Sequence, residues 1–381
     1  MRSSARFAAV CAILLAGAGS FLLGTCGPFT DVAPDAFCPF VLEIFYLGIT
    51  TGTTPTTYDP AGNVTRLQMA AFLSRTVDAT LRRGSRRAAL GQFWTAISPP
   101  LVGVTTLGST DAVALLASDG TDVWSGNNTG GTIARVRASD GKLLDEWTGA
   151  INAFDVLPAS GYIIATGRST PSGSLYRIDP GLPAGAVTTV ATNLGANPQG
   201  LTFDGTRIWT ANFDGSLSIV TPGSLPWMVT TVSGFSGPKG MIFDGSNVWM
   251  TEGNANTLLK LDATGIVLQT VTVDPGPVYP VFDGANVWVP TSSGPTVAVV
   301  RASTGAILAN LTGNGLTGPV AAAFDGQRIA ITNSGSSRVC FWKAADLAPL
   351  GFFTAAASPL FGIASDGVLF WTGSGNHLFR F

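Results

Sequence analysis

A single histidine, His377, stands in a chain of 381 residues, and this narrows the chemistry available to it. A metal site built on two imidazoles cannot be assembled, and the cysteines Cys11, Cys26, Cys38 and Cys340 contain no CxxC pair to replace them. Cys26 and Cys38 can pair in an oxidising compartment, whereas Cys340 sits in an apolar stretch that reads as core. There is no GxSxG elbow, no HExxH helix and no phosphate loop, and the glutamates are too few and scattered to nominate an acid–base pair. His377 falls in a column occupied elsewhere by Thr132, Ser174, Thr257 and Thr296, which reads as a strand-surface position. No catalytic residue, metal ligand or cofactor is nominated.

What remains suggests binding. Thr65-Arg66-Leu67-Gln68 fits a capping box, in which the Thr65 hydroxyl accepts a backbone N–H and Gln68 reaches back. A guanidinium beside a helix N-terminus adds to the amides and the helix dipole in attracting a carboxylate or phosphate. Arg66 reads equally as such a contact, as a solvated charge or as an ion-pair partner of Asp31. The run Arg82-Arg83-Gly84-Ser85-Arg86-Arg87, followed by Phe93-Trp94, reads as a solvated basic linker or as a contact for an anionic polymer.

The elements that must position such residues are mostly strands. Hydrophobic residues make up 46% of the chain and charged ones only 12%, with 47 glycines and 23 prolines, a composition for many short buried strands with frequent turns. The formal net charge of -2, with no long charged run, argues against nucleic acid as a partner. Residues 1–18 read as an export signal: Arg2 and Arg6 precede an apolar run that ends at Ala16-Gly17-Ala18. No membrane span is expected after its cleavage.

Internal repetition sets the larger domain. Asp-Gly recurs at Asp119, Asp204, Asp244, Asp283, Asp325 and Asp366, with Ser160-Gly161 in the one long gap, at intervals of about 41 residues. Four positions after the glycine stand Trp124, Trp209, Trp249, Trp288 and Trp371, with Ala165 and Ala330 in that column in the other copies. Alternating strands with turns between them, at this period, predict an all-β, seven-bladed β-propeller over 96–381. The tryptophans read as structural blade core, the alternative being a stacking platform for sugars. The Asp-Gly pairs lack the spacing of a calcium loop, so turn chemistry accounts for them. The seventh copy ends after its third strand, at Phe381. Leu101–Leu107, with Val102, Val104, Thr105 and Thr106, has the β-branched character of a fourth strand and is expected to close the ring from the N-terminal side.

Between signal and propeller the periodicity becomes helical, with one stripe of Val41, Ile44, Phe45 and Leu47 and another of Met69, Phe72, Leu73 and Val77. The ordered strings Phe29-Thr30-Asp31-Val32, Leu47-Gly48-Ile49-Thr50-Thr51-Gly52, Tyr58-Asp59-Pro60 and Val64-Thr65-Arg66-Leu67-Gln68-Met69-Ala70 resemble the S-layer homology domain. On this resemblance 27–80 forms a small α-helical domain and 81–95 a basic linker. The resemblance implies a cell-wall polysaccharide or peptidoglycan as partner on the bacterial surface, with Arg66, Thr65, Asp31 and Gly52 as the candidate polymer-binding residues. Gln68 stands where the family usually carries Glu, and only one copy is found where three commonly act together. The repeats resemble the YVTN or NHL-like class of bacterial propellers.

The expected function is therefore that of an exported cell-envelope protein. Its propeller binds a glycan, peptide or protein, the alternative being a propeller lyase or hydrolase, and the reading leans away from catalysis.

Overall fold

The computed structural model describes residues 26, 28–33, 37–46, 50, 52–66, 68–73, 101–108, 112–355 and 359–381. The export signal at 1–18, the basic linker at 81–95, and Leu47, Gly48, Ile49, Thr51, Leu67 and Val77 of the amino-terminal motifs lie outside the described residues. The chain divides into two compact units, Met1–Ala89 and Leu90–Phe381.

The larger unit is a seven-bladed β-propeller of antiparallel four-stranded sheets. Blade 3 shows the pattern: Pro198–Phe203, Ile208–Asn212, Ser216–Thr221 and Met228–Ser233 follow one another from the axis outward. Blades 1, 2, 4, 5 and 6 begin at Val113, Ala153, Pro238, Val281 and Pro319 and keep this order. Blade 7 takes Ile363–Ser365, Phe370–Ser374 and His377–Arg380 from the end of the chain. Its outermost strand is Gly103–Thr106, antiparallel to His377–Arg380 with Val104 opposite Phe379. The first strands of successive blades lie side by side, and that of blade 7 lies beside that of blade 1.

A four-stranded blade cannot bury both faces alone, so the core consists of seams between blades. Five of the seven seams take a tryptophan from one blade and aliphatic side chains from the next: Trp209 packs with Met241, Val248 and Leu259, and Trp249 with Val287, Val289 and Val300. Trp124, Trp209, Trp249, Trp288 and Trp371 are all fully buried.

Burying an indole strands its N–H, and the repeat supplies the acceptor. In five of the six Asp-Gly copies one carboxylate oxygen accepts that N–H: Asp119 from Trp124 at 2.9 Å, Asp204 from Trp209 at 2.8 Å, Asp244 from Trp249 at 2.7 Å, Asp283 from Trp288 at 2.7 Å and Asp366 from Trp371 at 2.8 Å. The other oxygen accepts two backbone N–H groups of the turn, as Asp244 does from Ser246 at 2.8 Å and Asn247 at 2.7 Å. The aspartate therefore ties turn to seam, a role beyond the turn chemistry expected of it.

The two copies without tryptophan differ from each other. In blade 6 Ala330 does occupy the column. Phe341, opposite it in register, packs in that seam against Phe370, and Asp325 turns to Arg328 at 2.7 Å. In blade 2 the expected alignment is off by one. Ser160 and Gly161 both have positive φ and make a two-residue turn closed by Ala159 opposite Tyr162, whereas Phe203 opposite Ile208 encloses four residues in blade 3. Counting back from Gly167 and Asn212, where the two second strands end, Ile164 rather than Ala165 stands at the tryptophan position, and it packs in the seam with blade 3. Aspartate and tryptophan are thus lost together there, whereas blade 6 loses the tryptophan and keeps Asp325, which turns to Arg328.

The smaller unit has helix α1 (Cys38–Tyr46) and helical residues at 66 and 68–73, and its other described residues lie in turns and bridges. Cys26 is disulfide-bonded to Cys38, and Phe29, Val32 and Val41 form a small core with them. No helix among the described residues is long and apolar enough to cross a membrane.

Candidate functional site

The propeller axis carries a cavity of about 550 Å³, lined by first-strand residues of all seven blades, among them Leu115, Asp155, Leu201, Met241, Val281, Ala321 and Ile363, with Tyr279 just before the first strand of blade 5. Its wall is mostly apolar, which isolates its few polar groups. Asp155 is half-buried and borders the cavity. Its carboxylate accepts the N–H groups of Leu201 at 2.7 Å and Val156 at 2.9 Å, yet burial prevails and pushes its pKa up to about 7. Across the axis Tyr279 donates its hydroxyl to Gln199 Oε1 at 3.1 Å, and burial raises the phenol above its ordinary range.

One step earlier along the strands, the axis is crossed by rings. Phe154, Tyr279 and Phe361 meet with centroids 5.7 to 6.1 Å apart. Beside this aromatic septum, at the end of the propeller where the chain enters each blade, are two cations. Arg168 donates from Nε to Asn197 Oδ1 at 2.6 Å and holds its guanidinium carbon 4.3 Å from the Phe154 centroid. Lys239 holds Nζ 5.9 Å from the Phe213 centroid. Burial lowers the pKa of both. Their surroundings can hold an anion next to apolar or aromatic surface.

The sequence-predicted residues of the smaller unit form two clusters. Asp31 accepts the N–H of Tyr58 at 2.8 Å and that of Asp59 at 2.7 Å, and these bonds hold its pKa below the ordinary value. Gly52 has φ of 76°, and a Cβ there would meet Thr57 O at 2.5 Å and a Phe29 ring carbon at 2.6 Å, so only glycine fits. Asp31 and Gly52 thus pin the 52–59 turn onto 29–31. Separately, Thr65 Oγ1 accepts the Gln68 N–H at 3.2 Å while Gln68 Oε1 accepts the Thr65 N–H at 2.8 Å, a reciprocal capping box. Arg66 is exposed inside it. Among the described residues it forms no ion pair, and the Asp31 carboxylate is engaged with backbone instead.

Residues 28–70 match the family model of the S-layer homology domain. No curated protein matches the chain. Among solved structures the propeller is similar to virginiamycin B lyase from Staphylococcus aureus, with a TM-score of 0.62 at 16% identity over 73% of this chain and 97% of that one. It is also similar to a streptogramin B lyase, with a TM-score of 0.61 at 16% identity over 73% and 96% of the two chains. The WD40 β-propeller domain of Doa1 gives a TM-score of 0.61 at 15% identity over 74% and 97%. These likenesses concern the fold.

Beside the S-layer homology segment, the remaining candidates are quickly placed. His377 is half-buried on a strand opposite Thr106, its ring 6.3 Å from that of Phe379. Cys340 is buried, and burial pushes its thiol up to about 11. Among the described residues no cluster of three or more His, Cys, Asp or Glu is placed to hold a metal ion. Sequence reasoning missed Asp155, Arg168, Gln199, Lys239 and Tyr279. A signal for two of them was present: Asp155 in Ala153-Phe154-Asp155-Val156 and Lys239 in Pro238-Lys239-Gly240-Met241 put a charge into strands that the repeat otherwise keeps small and apolar.

Proposed function

We propose that this is an exported protein of the bacterial cell envelope, attached to a wall polymer through its S-layer homology segment and presenting a propeller that binds a further ligand. The match at 28–70 carries the reading, because S-layer homology domains bind cell-wall polymers. Arg66 is the polymer contact, an exposed guanidinium on a capped helix start, and Thr65, Asp31 and Gly52 hold the segment around it. The helical parts of 27–80 and the basic linker 81–95 extend the same attachment, and 96–381 forms the ligand-binding domain.

The test is sedimentation of the purified chain with cell-wall sacculi. The wild-type chain is expected in the pellet and Arg66→Ala largely in the supernatant. Equal sedimentation of the two removes Arg66 from the role, and a wild-type chain that stays in the supernatant removes the attachment.

The strand Gly103–Thr106 serves this arrangement as a clasp. Pairing the N-terminal side of the propeller to the last strand of the chain protects the edge of blade 7 at the point where the ring would open.

Asp155 favours a second reading, a propeller lyase or hydrolase. A carboxyl with a pKa of about 7 bordering the axial cavity is suited to proton transfer near neutral pH. Turnover of a lactone or ester by the wild-type chain, abolished in Asp155→Asn, would favour it over binding alone.

A further inference from the structure

Five cations of the propeller are paired with carboxylates, whereas others, such as Arg177 and Lys260, meet rings or backbone carbonyls. Arg135, Arg137, Arg207, Arg328 and Lys343 each meet a carboxylate, respectively Asp122, Asp140, Asp204, Asp325 and Asp346, and these lie at the end of the propeller that carries the Asp-Gly turns. Arg168 and Lys239 lie at the opposite end, and among the described residues neither meets a carboxylate. The acidic side chains of the loops around them are engaged elsewhere. Asp214 accepts the N–H groups of Ala196 at 2.6 Å and Ser216 at 3.0 Å, and Glu252 accepts from the Ser236 N–H at 2.7 Å and the Thr257 hydroxyl at 2.6 Å.

The two cations contact two adjoining loops of blade 3. Arg168 bonds the Asn197 side chain, the Asn197 carbonyl accepts the Phe213 N–H at 3.1 Å, and Lys239 lies over the Phe213 ring. Phe213 is 37% exposed, a ring left open to solvent beside a half-buried ammonium. Between Arg168 and Lys239 in blade order stands Gln199, whose Oε1 faces Tyr279. Half-buried cations without a carboxylate partner lose hydration with little in return, unless an anion completes the site. An exposed aromatic face and amide side chains beside them suit the C–H face and hydroxyls of a sugar.

From this we propose that the propeller binds an anionic saccharide at the axial mouth, with its carboxylate or phosphate group between Arg168 and Lys239 and a sugar ring against Phe213. The inference rests on the binding reading above and names the ligand class at the propeller.

The experiment is calorimetric titration of the full chain with three probes: a galacturonic acid trisaccharide, a phosphorylated mannose oligosaccharide and neutral cellotriose. One or both acidic probes are expected to bind, to bind more weakly as salt rises, and to outcompete the neutral one. The acidic arm that binds identifies the anionic group. Arg168→Gln and Lys239→Gln are each expected to weaken binding about tenfold or more, as loss of a charged hydrogen bond does. Phe213→Ala, at an exposed position, serves as a variant that leaves the fold undisturbed and is also expected to weaken binding. Thermal unfolding at wild-type temperature certifies each variant. Equal affinity for cellotriose, wild-type affinity in the three variants, or no binding of either acidic probe overturns the inference. Wall attachment is untouched by any of these results, since Arg66→Ala reads it out separately, and the propeller would then remain a binding module of another specificity.

Discussion

The two ends of the propeller are built from the same strands and differ in how their charged groups relate to the repeat. At the end with the Asp-Gly turns, carboxylates are saturated by turn N–H groups, indoles and guanidiniums. Asp204, for example, accepts from Thr206, Arg207 and Trp209 together. Elsewhere, Lys239 and Asp155 break the small-apolar pattern of the inner strands, and Arg168 follows the second strand of blade 2. What recurs seven times answers a problem every blade shares, the burial of a seam. What occurs once answers a need of the whole ring, and so the departures from the repeat are where function is to be sought.

The largest effect is expected at the outermost strand of blade 7, which comes from outside the repeat. Deleting 101–107 removes Gly103–Thr106 from blade 7 together with Leu107, which is 2% exposed. Loss of a buried leucine alone costs about 2–5 kcal/mol, and the lost ladder adds to it, so the deletion should consume much of a typical stability of about 5–15 kcal/mol. Urea unfolding followed by tryptophan fluorescence checks this, and a midpoint near wild type would show that the strand is dispensable. Next comes the shared seam: Trp249→Ala should cost about 3–5 kcal/mol by the same measurement. If the loss stays under about 1 kcal/mol, the contrast between repeated core and unrepeated site has no energetic basis.

How much of this was legible follows the same division. The period, the turns and the tryptophan column were readable because every seam imposes the same demand. Misplacing Ala165 in that column came from counting residues through a turn that is two residues shorter in blade 2, a difference of backbone geometry that the spelling Ser160-Gly161 does not reveal. At the S-layer homology segment, order and spacing of short motifs pointed to the match at 28–70. Apart from the lone charges of Asp155 and Lys239, the axial mouth was illegible because its residues come from different blades and meet only when the blades pack together. Arg168 and Asn197 are 29 positions apart, and Tyr279 and Gln199 are 80 apart.

A pH experiment sharpens the comparison at the axis. The folded pKa of Asp155 is about 7, against an ordinary value of 3.8, and burial is the main cause. Below about pH 4 both folded and unfolded chains hold the proton and there is no penalty. Between about 4 and 7 the unfolded chain releases it first, so stability falls as pH rises, and above about 7 the penalty is complete at about 2–4 kcal/mol. Asp155→Asn should flatten that decline. A wild-type stability that rises across the same window would show the carboxylate to be stabilised in its charged form and would remove its claim to proton transfer.

The smallest effect tests the turn end itself. Asp244→Ala leaves the Trp249 N–H buried without its acceptor and releases the turn N–H groups of Ser246 and Asn247, which water can reach in part. The expected cost is about 1–3 kcal/mol, less than that of removing the indole because the seam keeps its apolar contacts. The decisive measurement is a cycle with Trp249→Phe, which keeps a ring in the seam and has no N–H to satisfy. If the aspartate serves the indole, its removal from the Trp249→Phe variant should cost less than its removal from wild type, by about 1 kcal/mol. Additive costs would mean that the aspartate acts on the turn alone. The joint loss of aspartate and tryptophan in blade 2 would then have no common cause, and the seam would not explain why the dipeptide recurs.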